Sequence, residues 1–181
     1  MSDKFTPYAN LRGLVVSLGF WAWGLGAAFF VLDWHRSWPL ALFYLALLVN
    51  SYFSIRTFAS ITPTRHPGQQ FLDILLAVCL AFLPVNFNSV QNFVLITTAL
   101  FIVATLKYIF LLPIAGYSRL LYTKIRVDAL GIMFCFGALV GTLFGYGHRT
   151  AILWTILFVA ANFYVLWWKP HYSVELHYES Q

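Results

Sequence analysis

Apolar positions along this chain come in six long blocks separated by short polar stretches. The blocks cover residues 14–32, 38–55, 70–87, 93–112, 127–146 and 151–168. Each holds 18 to 20 residues. At about 1.5 Å per helical residue, that length crosses a hydrocarbon core about 30 Å thick. Within the blocks apolar side chains follow one another without two-residue alternation, so the pattern predicts helices and not the strands of a membrane barrel. The expected fold is all-α: a polytopic integral membrane protein with a six-helix transmembrane bundle. One domain spans residues 1–170, and a short polar tail follows over 171–181.

The stretches between blocks refine this picture. Residues 35–37 and 147–150 are short enough to force antiparallel neighbours. Two connections are longer. Residues 56–69 contain Pro63 and Pro67. Residues 113–126 place Tyr117, Leu120, Leu121 and Ile125 beside Arg119, Lys124 and Arg126, which predicts a short interfacial helix. Lys4 and Arg12 precede the first block as in a secretory signal. The block is long and lacks a small-x-small cleavage site, so it reads as a retained helix.

Composition supports the membrane class. Apolar residues make up 61% of the chain and charged residues 9%, against about 25% charge in a soluble domain. The mean hydropathy is +0.77. The formal charge is +5, yet no basic cluster is interleaved with aromatics, so nucleic acid is not an expected partner and membrane lipid is. Eight Lys and Arg residues fall on one side of the six-span topology, and only Arg36 and Arg149 on the other. The positive-inside rule then places both termini in the cytoplasm, N-in and C-in, with a bacterial cytoplasmic membrane as the expected location. Trp34, Trp38, Trp167 and Trp168 suit interfacial anchoring. Cys79 and Cys135 lie inside apolar blocks and read as small buried hydrophobes.

Chemistry must come from the few polar residues inside the blocks. Asn50 and Ser54 are four apart and share a helix face, and Asn162 is a second interior amide. Interhelical hydrogen bonding accounts for such residues, as does a polar lining for a solute. Lys107 lies three quarters of the way along the fourth block. It either snorkels to the interface or pairs with Asp73 or Asp128. Those two carboxylates sit at the starts of the third and fifth blocks, where they compensate the helix dipole. Together Asn50, Ser54, Lys107, Asn162, Asp73 and Asp128 form the candidate transport path. His35 and His148 share the opposite depth, with Asp33 nearby, and form the candidate metal site.

Other signals are negative or concern assembly. The tail residues His171, Glu175, His177 and Glu179 do not have the His-Glu-x-x-His spacing of a zinc protease. No P-loop, dinucleotide fingerprint or nucleophile elbow is present, and no motif specifies a cofactor. Gly137, Gly141 and Gly145 repeat every fourth residue and predict a close-packing ridge, a candidate homo-oligomer face. A short His-Arg to Asn echo links the second and sixth blocks but needs a one-residue gap, too little to establish a duplication. The reading favours a small channel or transporter for an ion or small solute, its path completed by oligomerisation. The alternative is a membrane-embedded enzyme or redox or metal-binding subunit using the histidine or carboxylate clusters.

Overall fold

A computed structural model describes residues 7–31, 33–59, 61–62, 66–115 and 118–168. Helices α1 (Pro7–Val31), α2 (Trp34–Phe58), α3 (Pro67–Val85), α4 (Val90–Ala115), α5 (Arg119–Leu143) and α6 (Gly147–Phe163) occur in that order. A five-residue π-helical turn, Tyr164–Trp168, continues α6. All six helices are long and apolar enough to cross a bilayer, counting the π turn with α6. The fold is a six-helix transmembrane bundle. The tail over 171–181, Pro63 and Tyr117 lie outside the described residues.

The helices extend past the apolar blocks, and this corrects the expected connections. His35 to Ser37 are not a turn; they form the first turn of α2, capped by Asp33, whose Oδ1 accepts from the His35 amide at 3.2 Å. Likewise His148 to Thr150 open α6. The predicted interfacial helix is instead the first two turns of α5. Ser118 caps it, its Oγ accepting from the Leu121 amide at 3.2 Å. Asp128 is therefore not in a first turn. It lies about 14 Å along α5, beyond the reach of the helix-terminal dipole. Asp73 likewise sits in the second turn of α3.

Close contacts fix the packing. A Cβ on Gly24 of α1 would run into the Tyr44 ring of α2, and the Tyr44 hydroxyl donates to the Phe20 carbonyl at 3.0 Å. Trp23 Nε1 donates to Ala81 O of α3 at 2.8 Å, and Thr155 of α6 donates to Pro39 O of α2 at 3.0 Å. α2 and α4 form the centre; α1, α3, α5 and α6 surround them. Large apolar side chains such as Phe29, Phe30, Met133 and Leu153 face outward, as a lipid-facing surface requires. Gly24→Val is expected to displace the Tyr44 ring and cost about 1–3 kcal/mol. Thermal unfolding in detergent measures this, and an unchanged midpoint would show that α1 is not seated on Tyr44.

One half of the bundle is filled by rings. Phe43 stacks between Trp154 and Phe158, with centroids at 4.0 and 4.1 Å, and meets Phe93 edge-on at 5.8 Å. Phe87, Leu83, Val94 and Cys135 close around them. Thr97 and Thr98 are buried in this interior, but each hydroxyl donates to a carbonyl one turn back on α4. Their polarity is spent within the helix and opens no wet path.

The three glycines of the expected ridge have separate roles. Gly141 packs α5 against Thr150 of α6 within the chain. Gly145 is the left-handed residue of a Schellman turn, with φ +82°, where Gly145 N donates to Thr142 O and Tyr146 N to Gly141 O. A Cβ on Gly137 would meet open space, as would one on Gly145.

Candidate functional site

Polar residues gather in the other half, which carries most of the basic residues. A cavity of about 330 Å³ lies there, walled by α1 to α5. Arg12 of α1 and Ile74 of α3, both exposed, stand at its margin. α2 contributes Asn50, Ser51 and Ser54, which share the cavity with Phe58 and Leu80. Apolar wall predominates, and the charges are confined to one set of side chains.

That set is built from helix ends and helix periodicity. Lys107 Nζ of α4 donates to Asp73 Oδ1 of α3, and Arg12 of α1 stands 3.9 Å from Asp73 Oδ2. On α5, Lys124 and Asp128 are four residues apart and so share a face; Lys124 Nζ donates to Asp128 Oδ1 at 2.7 Å. Both lysines approach the ring of Tyr108, at 5.9 Å for Lys107 and 5.6 Å for Lys124, within the range of cation–π attraction. Tyr108 thus joins the two ion pairs into one cluster. Gln69 of α3 ties the same region together by donating to the Lys107 carbonyl at 3.3 Å.

Such a cluster is expensive to keep. Ionised groups within a span cost several kcal/mol each unless paired, and a buried pair is often no more stabilising than apolar residues of the same volume. That cost falls on Lys124 and Asp128, which are buried, and less on Arg12 and Asp73, which are exposed or partly so.

The candidate residues separate cleanly. Asn50, Ser54, Asp73, Lys107 and Asp128 all line this cavity. Asn162 does not; its side chain is turned back to donate to Phe158 O at 2.9 Å on its own helix. Lys107 pairs with Asp73, one of its two anticipated partners, and Asp128 takes Lys124. His35 and His148 lie at the opposite end. His148 Nδ1 is 3.1 Å from Arg36 O, which locks the start of α6 onto α2. No cluster of three or more His, Cys, Asp or Glu side chains able to hold a metal occurs among the described residues. Arg12, Ser51, Tyr108 and Lys124 are site residues that hydropathy blocks did not select. For Lys124 the signal was its four-residue spacing from Asp128.

The chain matches no family model, and no curated protein or solved structure is significantly similar to it.

Proposed function

We propose that this protein is a carrier for a small polar or charged solute, taken into the pocket from the basic end. The observation that supports it is one cavity receiving charged side chains from four helices while the opposite half of the bundle is packed with aromatic rings. An open channel needs a continuous wet route. A pocket closed at one end suits alternating access, in which the ring-filled half opens only after the solute is held. The positive-inside bias supports a cytoplasmic basic end with both termini on that side, and the proposed setting is a bacterial cytoplasmic membrane. Helices α1 to α5 of one chain wall the pocket, which supports a carrier path within a single chain. Self-association through α5 would use the open space over Gly137, between exposed Met133 and Val140.

Flux in proteoliposomes tests this. Uptake across a panel of small ions and organic solutes is expected to saturate, and Asn50→Leu is expected to lower it about tenfold, equivalent to about 1.4 kcal/mol of barrier. Lys107→Ala is expected to do the same or more. Absence of protein-dependent flux for every solute would overturn the carrier reading.

A further inference from the structure

The charged groups of the pocket differ steeply in burial. Side-chain exposure falls from 59% at Arg12 to 33% at Asp73, 12% at Lys107, 6% at Lys124 and 1% at Asp128. Sign alternates along each pair, and the Tyr108 ring bridges the two lysines. The series begins on an exposed arginine and ends on the most deeply buried ionisable group of the pocket.

That last group is incompletely bonded. Among the described residues three buried side-chain atoms have no hydrogen-bond partner: Ser17 Oγ, Gln69 Oε1 and Asp128 Oδ2. Asp128 Oδ2 belongs to the one ionisable group of the three, and Asp128 lines the cavity. An acceptor left without a donor in a buried site is costly. A proton supplies what it lacks. Protonation forms an O–H bond on the carboxylate, leaves the Lys124 ammonium unchanged, and raises the charge of the pair by one. The former acceptor becomes a donor.

We infer that Asp128, the most buried carboxylate of this cluster, is a proton site, and that the pocket binds a small organic anion together with one proton. Three cations, Arg12, Lys107 and Lys124, face two carboxylates, so the pocket already favours an anion, and protonation of Asp128 strengthens that preference. The apolar wall suits a carboxylic acid with a hydrocarbon body rather than a compact inorganic ion. The charged and titratable groups facing Asp128 across the cavity are Arg12 on α1, Asp73 on α3, and Lys107 and Tyr108 on α4, with Lys124 on its own helix. α2 brings the uncharged Asn50, Ser51 and Ser54, and α6 contributes no lining residue. The link to flux rests on the carrier reading; the binding chemistry does not.

Calorimetry on the full chain in detergent tests it, with acetate, butyrate and benzoate as probes, repeated in buffers of different ionisation enthalpy. About one proton is expected to enter per anion bound, with affinity falling about tenfold per pH unit as pH rises. Asp128→Asn, which carries the neutral form permanently, is expected to bind the anion without proton uptake and without the pH slope. Lys124→Gln is expected to lose binding. Wild-type binding with no proton uptake overturns the inference, as does failure of all three acids to bind, and neither result depends on how a variant folds. Flux without proton uptake would leave the carrier reading standing and remove this one; proton-linked binding without flux would do the reverse.

Discussion

Lys124→Ala is expected to destabilise the protein by about 3–5 kcal/mol. Lys124 and Asp128 are both buried, and their pairing compensates for removing two charges from water. Truncating the lysine leaves the carboxylate on the cavity wall without its cation. The same change at the Lys107–Asp73 pair is expected to cost less, because Asp73 is partly exposed and has Arg12 nearby. The control is the double replacement Lys124→Leu with Asp128→Leu. It removes both charges and is expected to recover most of the lost stability, while uptake is expected to be lost. Unfolding in mixed micelles measures the first quantity and proteoliposome flux the second. A cost below about 1 kcal/mol for the single variant would mean that the pair is solvated, and recovery of flux in the apolar double variant would remove these two residues from function.

Phe43→Ala is the second large effect. The Phe43 ring is sandwiched by Trp154 and Phe158 and touched edge-on by Phe93, so its loss leaves a void that no single neighbour can fill. Destabilisation of about 2–4 kcal/mol is expected, below the upper range for soluble cores because lipid is itself apolar. The more telling outcome is permeability. Those rings separate the pocket from the far face, so passive leak is expected to rise about tenfold, equivalent to lowering the barrier by about 1.4 kcal/mol. Dye-quench assays on loaded vesicles read this directly. A variant as tight as the parent would place the barrier elsewhere in the bundle.

Much of the architecture was legible from hydropathy, since a helix in lipid must be apolar over a length set by the bilayer. The ends of the helices were not. Residues 119–126 are rich in charge and hydroxyl groups, so a hydropathy block stops short of them, yet their backbone continues the helix because Ser118 supplies the cap. That displacement changed the chemistry. With α5 begun at 127, Asp128 reads as a helix-end carboxylate and Lys124 as an interfacial cation. With α5 begun at Arg119, the two stand one turn apart on a buried face. Asp73 and Lys107 were easier, because opposite charges at similar depth on adjacent antiparallel helices have few other places to go. Asn162 went the other way. An interior amide can satisfy itself on its own helix, and spacing along the chain carries no sign of which way it will turn.

The closed, ring-filled half of the bundle has an electrical consequence. On the carrier reading, water or solute filling the pocket carries the potential of the basic side inward as far as Asp128. The voltage across the membrane then falls mostly over the packed rings rather than over the full thickness of the bilayer. A charge moving between bulk solvent and the pocket on the basic side crosses little of that field. A charge moving from the pocket past Phe43 and Trp154 crosses most of it, at about 2.3 kcal/mol per elementary charge for each 100 mV. Binding from the basic side is therefore expected to be indifferent to membrane voltage, and passage beyond the rings to be driven by it.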